Sequence, residues 1–322
     1  MMRNIAILKE CTKREQQLLH SALQPEDRIF WFDSEQAMLA SSDLPEIDIV
    51  FGEPAPDTLQ AMKGLRWVQM TWAGANKYTS PGAFPQDKTL TGASGAFGGV
   101  ISEHILSGVL CLYKNLRRYR DQLQQGQWQL LTGDDTLEGK RALILGTGNI
   151  GSETAKKLKA FGAYTVGICR TGRKKPDCFD LCYTADYLDE QLPQADLVIV
   201  SLPGTQATKG MLSAERICKM KSGAVLVNVG RGFVVDTQAL TDALTQGRLR
   251  GAVLDVTDPE PLPAEHPLRF MEQVILTPHV SGISWGENAI TREKIIRIFM
   301  ENLQADAAGL PLYNQINLQQ GY

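Results

Sequence analysis

The stretch RALILGTGNIGSETAKKLKAFG, residues 141–162, reads in order as a strand, a tight turn and a helix. Ala142, Leu143, Ile144 and Leu145 form a short apolar run. Gly146, Thr147, Gly148, Asn149, Ile150 and Gly151 follow, and a helical segment through Glu153, Ala155, Leu158 and Phe161 stops at Gly162. In such a turn the first glycine permits the sharp bend, the second lets backbone approach a pyrophosphate, and the third lets helix meet strand closely. The helix start then offers unpaired N–H groups and positive partial charge to phosphates. Three spaced glycines alone say little. Set between strand and helix, they predict a dinucleotide site.

The end of the following strand bears on which dinucleotide binds. An NAD site places a carboxylate there for the ribose hydroxyls. This chain has Ile168, Cys169, Arg170, Thr171, Gly172, Arg173, Lys174 and Lys175 instead. Arg170 and Arg173 suit a 2′-phosphate, with the Thr171 hydroxyl as a further donor. The expectation is NADP(H), with NAD(H) also usable. A solvated basic loop is the alternative.

Outward from this turn the chain alternates strand-like and helical segments, the rhythm of parallel α/β sheets. Strands are expected at 4–8, 28–32, 48–52 and 66–71, and again at 141–145, 164–169, 197–202, 224–229, 251–256 and 274–277. Residues 91–99, rich in Gly and Ser, read as a hinge. A single long helix is expected over 100–124, with an apolar face wide enough for core packing or for a subunit interface. Asp236 and Gly247 bracket a helix at 237–246 as N-cap and C′ residue. A last helix at 287–303 is expected to pack back on the first domain.

The 322 residues suit two domains, and 43% hydrophobic content supports sizeable cores. A net charge of −3 gives no footprint for nucleic acid. No apolar run reaches membrane-spanning length, and the first residues lack a signal-peptide pattern. The six cysteines are scattered, and the pair Cys178 and Cys182 has no accompanying ligands, so no metal site is expected. A reducing, cytoplasmic setting follows as the expectation.

Three later segments carry reactive groups, each where a strand ends, the ligand side of an open α/β sheet. They hold Arg231 between Gly230 and Gly232, Glu260 between Pro259 and Pro261, and His279 after Pro278. Reduction of a 2-oxo acid asks for these types. Histidine supplies a proton near neutral pH as the carbonyl receives hydride. A carboxylate beside the imidazole favours its charged form. A guanidinium clamps the substrate carboxylate and polarises the carbonyl. Singly, each residue also has an ordinary structural reading; their joint arrangement favours catalysis.

With these motifs, the chain resembles the D-isomer-specific 2-hydroxyacid dehydrogenases, and among them the glyoxylate/hydroxypyruvate reductases. The resemblance rests on 146–151, 201–210, 228–232, 254–256 with Glu260 and Pro261, and 277–279. It implies catalytic Arg231, Glu260 and His279, with Asp255 near the nicotinamide carboxamide. Leu202, Pro203 and Thr208 would lie along the cofactor, with Val229, Gly230 and Gly282 also beside it. Trp72, Ala73 and Gly74 resemble the substrate loop, although Ala75 and Asn76 depart from the family pattern. The implied architecture is α/β, with two doubly wound parallel-sheet domains and a cleft between them. A flavodoxin-like substrate domain would comprise 1–98 and 288–322, and a Rossmann domain 99–287. A homodimer through the long helix is also implied.

Trp72, Phe97 and Trp285 read first as packing residues, with a limit on substrate size as their alternative; His104 reads as structural. The leading expectation is an NADPH-preferring reductase of small 2-oxo acids. A phosphoglycerate dehydrogenase-like enzyme and a dinucleotide-sensing interaction protein on the same fold are the alternatives.

Overall fold

The computed structural model describes residues 2–170, 176–283, 285 and 288–320. It divides into two compact units, Met1–Phe97 with Ser284–Tyr322, and Gly98–Ile283.

In the first unit the strands are β1 (Asn4–Ile7), β2 (Arg28–Trp31), β3 (Ile49–Phe51), β4 (Trp67–Gln69) and β5 (Thr89–Thr91), with helices α1 (Lys13–Ser21), α2 (Glu35–Leu39) and α3 (Pro56–Ala61). The sheet is parallel throughout, in the order β2-β1-β3-β4-β5. That is the flavodoxin-like order. Thr12 and Glu15 start α1 with a capping box, each side chain accepting the other's backbone N–H. Ala6, Val50, Leu59, Val68, Phe84 and Leu90 share one buried core.

Strand β5 was not anticipated. Its three residues carry little apolar pattern, and Thr91 stands at the start of the glycine-rich stretch. Distant partners secure Thr91 in the sheet: Trp67 Nε1 donates to its hydroxyl at 2.7 Å, and that hydroxyl donates to Gln69 Oε1 at 2.8 Å.

The second unit opens with α4 (Gly98–Tyr113) and α5 (Leu116–Gln124). The single long helix expected here is thus two. Asn115 breaks it, with a left-handed φ of 52° that asparagine tolerates better than most residues. The break also separates two roles. Ile101, Ile105, Leu106 and Val109 of α4 are buried, whereas Leu116 and Leu123 of α5 are exposed.

The series then runs β6 (Arg141–Leu145), α6 (Asn149–Ala160), β7 (Tyr164–Cys169), β8 (Leu181–Thr184), α7 (Leu188–Gln191), β9 (Leu197–Val200), α8 (Ala214–Lys219), β10 (Val225–Asn228), α9 (Thr237–Thr245), β11 (Gly251–Leu254) and β12 (Val274–Leu276). The parallel sheet has the order β12-β11-β10-β9-β6-β7-β8. Strands β9 and β10 are wholly buried, as the apolar runs 197–200 and 225–227 require of a sheet covered on both faces. Strand order reverses beside β6, with β7 on one side and β9 on the other. In a doubly wound sheet this switch point is where ligands bind. Edge strand β8, half-buried along its length, was also missed by the sequence reading.

Asp236 caps α9 by accepting from Ala239 N at 2.9 Å, and Gly247 takes a left-handed φ of 66° just beyond its end, both as expected. The last helix, α10 (Ala289–Ala307), belongs to the first unit. Phe299 stacks on Phe51 at 4.7 Å between ring centres, and Arg66 pairs with Asp306 through contacts of 2.5 and 2.8 Å. Among the described residues, no helix is long and apolar enough to cross a membrane.

Candidate active site

The motif glycines divide by what surrounds them. Gly146 has a φ of 101°, and a Cβ there would stand 2.9 Å from Ser201 O. A Cβ on Gly151 would fall 1.9 Å from Gly146 O, so only glycine lets α6 sit against the turn. At Gly148 nothing lies within 4 Å of such an atom. The first and third glycines serve close packing, and the second leaves backbone open to a ligand. Gly148 is also the N-cap of α6, with no side-chain cap, so backbone amides of the first turn remain for phosphate oxygens. The turn fits a dinucleotide pyrophosphate. Asn149 uses its side chain differently, accepting Gly98 N at 2.8 Å, while Thr147 O accepts the Ser152 hydroxyl at 3.1 Å.

Arg170 is exposed at the end of β7, beside the strand that carries the turn. Thr171 and Arg173, expected to share its role, lie outside the described residues. After β9, Leu202 is half-buried and Pro203 exposed. Thr208 is a buried brace for this loop. Its hydroxyl donates to Pro203 O at 2.7 Å and accepts Thr205 N at 3.0 Å.

Val229 and Gly230 are buried after β10. Asn228, to which the sequence reading gave no role, clamps this turn from within. Its Oδ1 accepts Gly230 N at 3.1 Å and its Nδ2 donates to Arg231 O at 3.0 Å. Arg231 donates to Gly230 O at 2.7 Å. Burial draws the Arg231 guanidinium below its usual range, and the charge of Glu260 opposes that shift.

His279 and Glu260 meet directly, with 2.6 Å between Nδ1 and Oε1. A carboxylate only accepts, so Nδ1 carries the proton and Nε2 is left for chemistry. Both side chains are about half exposed, 49% for His279 and 40% for Glu260, so a reactant has access to the imidazole. Local bonds hold the two loops. Thr237 and Thr257 hydroxyls donate to Asp258 O and Pro259 O, each at 2.8 Å. His279 has a left-handed φ of 57°, and its N–H donates to Asp255 O at 2.8 Å.

Asp255 is 2% exposed. Its Oδ1 accepts the Thr277 hydroxyl at 2.6 Å and Val280 N at 2.8 Å, and its Oδ2 accepts Ser281 N at 2.9 Å. Burial alone would raise its carboxyl; hydrogen bonds from Ser281, Thr277 and Val280 overcome this and hold it below the usual range. Asp255 thus binds the segment on both sides of His279, and Gly282 follows half-buried. Thr277 falls within the 277–279 motif, but the sequence assigns neither it nor Ser281 a role.

In the first unit, Trp72 follows β4 and is 39% exposed, while Ala73 and Gly74 are half-buried. Trp72 O accepts Ala93 N at 2.8 Å. Phe97 is buried. Trp285 is engaged in packing: its ring lies 5.5 Å edge-on from Phe51, and its Nε1 donates to Glu10 O at 2.9 Å. Packing, the first reading of these three aromatics, fits Phe97 and Trp285, and Trp72 is the exposed one.

The NAD binding domain model of the D-isomer specific 2-hydroxyacid dehydrogenases matches residues 106–281. The chain belongs to this family of NAD(P)-dependent oxidoreductases. A family structure from Aeromonas salmonicida superposes with a TM-score of 0.86 at 34% identity, covering 98% of this chain and 99% of that one. A D-isomer specific 2-hydroxyacid dehydrogenase from Xanthobacter autotrophicus, in complex with NADPH and MES, gives 0.84 at 26% identity, covering 99% of each chain. Glyoxylate/hydroxypyruvate reductase B of Yersinia pestis is 29% identical over 83% of this chain and 82% of its own. A mitochondrial formate dehydrogenase of Oryza sativa is 32% identical over 70% of this chain, and the match spans 61% of its length.

Proposed function

We propose that this dehydrogenase is an NADPH-preferring reductase of small 2-oxo acids, of the glyoxylate and hydroxypyruvate kind, yielding D-2-hydroxy acids. The observation that carries the reading is the 2.6 Å contact between His279 Nδ1 and Glu260 Oε1, at strand ends of the sheet that holds the glycine turn. The nicotinamide, when bound, supplies a hydride to the carbonyl carbon. His279 holds a proton at Nε2 and delivers it to the carbonyl oxygen as charge develops there. Glu260 accepts from Nδ1 and so orients the imidazole with Nε2 toward the reactant. Arg231 binds the substrate carboxylate and polarises the carbonyl. In the first unit, the family resemblance implies that the backbone amides of Trp72, Ala73 and Gly74 bind a substrate carboxylate.

Gly146 to Gly151 take the pyrophosphate, and Leu202, Pro203, Thr208, Val229, Gly230, Asp255 and Gly282 line the cofactor's path. Arg170, Thr171 and Arg173 take the 2′-phosphate. NADPH in the complex of the Xanthobacter relative supports this choice, and the reductase name of the Yersinia relative supports the substrate class. The assembly is a homodimer in this proposal, and the exposed Leu116 and Leu123 of α5 support an apolar contact there. The proposed division of labour makes 1–98 and 288–322 the substrate domain and 99–287 the cofactor domain.

A rate panel tests the proposal: glyoxylate, hydroxypyruvate and pyruvate with NADPH and with NADH, and formate with both oxidised cofactors. Fastest turnover is expected for glyoxylate or hydroxypyruvate with NADPH. NADH preference, fastest formate oxidation, or dinucleotide binding without turnover would overturn it.

A further inference from the structure

One side chain outside the proposed machinery is bonded to it. His104 lies on α4, and its Nε2 is 3.2 Å from Thr277 Oγ1. The Thr277 hydroxyl has a single proton, and it points to Asp255 Oδ1 at 2.6 Å, because that carboxylate can only accept. The threonine oxygen therefore accepts from His104, whose Nε2 carries the proton. A directed chain results: His104 to Thr277, Thr277 to Asp255, and Val280 and Ser281 N–H to the same carboxylate.

The chain ends on the two residues immediately after His279. Asp255 also takes the His279 N–H on its backbone oxygen. His279 is thus held in a left-handed conformation that a histidine adopts only with support around it. The Asp255 carboxylate receives bonds from Thr277, Val280 and Ser281, and the Thr277 bond is polarised by His104 behind it. Without His104, the Thr277 oxygen loses its donor and the hydroxyl is freer to turn from the carboxylate.

We infer that His104 is a positioning residue for His279, acting through Thr277 and Asp255. The catalytic part of this inference rests on the proposed role of His279 as proton donor. The positioning part does not, because it is read in the backbone of residues 280 and 281.

The test uses the full chain with NADPH and its fastest 2-oxo acid. H104L, which has no donor, is compared with H104Q, whose amide can replace the Nε2 proton, and with T277V and the double variant H104L with T277V. H104L is expected to lower kcat about tenfold with little change in KM for NADPH, the size of one lost hydrogen bond to a charged network. H104Q is expected to recover most of that loss. The double variant is expected to be no slower than T277V, since both break one chain. Hydrogen exchange at the Val280 and Ser281 amides is expected to quicken in H104L and T277V and to slow again in H104Q.

Unchanged exchange at those amides in H104L overturns the inference, as do multiplying effects of H104L and T277V or an H104Q as slow as H104L. Should H104L not fold, T277V against H104Q carries the same comparison: slowed exchange in H104Q relative to T277V supports the chain, and equal exchange overturns it. H279A measured alongside separates the two readings. Turnover surviving in H279A overturns the proposed proton donor and leaves the exchange result standing on its own.

Discussion

Asn149 Oδ1 accepts the backbone N–H of Gly98 at 2.8 Å, so a residue of the glycine turn secures the first amide of α4. The contact is tight: a Cβ on Gly98 would stand 2.5 Å from that oxygen. The Asn149 side chain is engaged with α4, while its backbone lies in the first turn of α6, where phosphate is expected. N149A is therefore expected to cost about 1 kcal/mol of stability, the usual loss for a helix-start acceptor. NADPH affinity should change by about threefold or less, because the amide persists. Denaturant unfolding and fluorescence titration check this pair of outcomes. Lost affinity at unchanged stability would assign the side chain to the cofactor.

His279 Nδ1 donates to Glu260 Oε1 across 2.6 Å while both side chains remain about half exposed. H279A is expected to reduce kcat by roughly 10²–10⁴-fold, the range for loss of a positioned acid. The dissociation constant for NADPH should stay nearly constant. Stopped-flow turnover and equilibrium titration decide it. Weakened NADPH binding with unaltered turnover would contradict the assignment.

Cofactor choice is tested at the end of β7. R170A combined with R173A is expected to weaken NADPH about tenfold or more, the value of a charge-assisted bond to phosphate. NADH, which has no 2′-phosphate, should bind almost as before. Titration of both cofactors against both proteins measures the difference. Equal weakening would remove the phosphate-clamp reading.

What the sequence disclosed follows how local each signal was. Strands β6, β9 and β10 announced themselves because a strand covered on both faces is apolar at nearly every position. Asp236 and Gly247 marked α9 because capping chemistry lies within a few residues of the helix. Strand β5 was invisible because Thr91 is secured by Trp67 and Gln69, more than twenty residues away. The break at Asn115 lay inside an apolar pattern that continues through Leu116, and no Gly or Pro marks it. At the site, Arg231, Glu260 and His279 were legible as residue types at strand ends. The side chains that hold those loops, Asn228, Thr277 and Ser281, were not, since ordinary loop polarity hides a buried hydrogen-bond network.

Assembly is testable on the exposed surface beside α5. Trp128 is 90% exposed and Leu130 89%, values unusual for large apolar side chains that lie close together. They line a depression with Tyr119 and Leu123. In the proposed homodimer this surface is covered by a second copy. W128A with L130S is expected to shift the protein from dimer to monomer in sedimentation velocity. A wild-type monomer at micromolar concentration would dispose of the dimer, and a variant still dimeric would move the interface elsewhere.

Asp306 offers a pH test of how α10 is held to its sheet. Burial alone would raise its carboxyl; hydrogen bonds from Arg66, then the charges of Arg66 and Arg3, outweigh burial and hold it below the ordinary range. A carboxylate whose folded value is depressed adds stability above its unfolded value, about 3.9, and loses it as pH falls through the folded one. D306N removes the charge while keeping the shape. At pH 7 the variant is expected to be less stable by roughly 1–3 kcal/mol, as for a hydrogen-bonded charged group. The gap should persist down to about pH 4, narrow below it, and close once Asp306 is protonated in the folded chain. Thermal unfolding of both proteins across that range gives the comparison. A gap that stays constant through acid would mean that the Arg66 pairing does not depend on the carboxylate's charge.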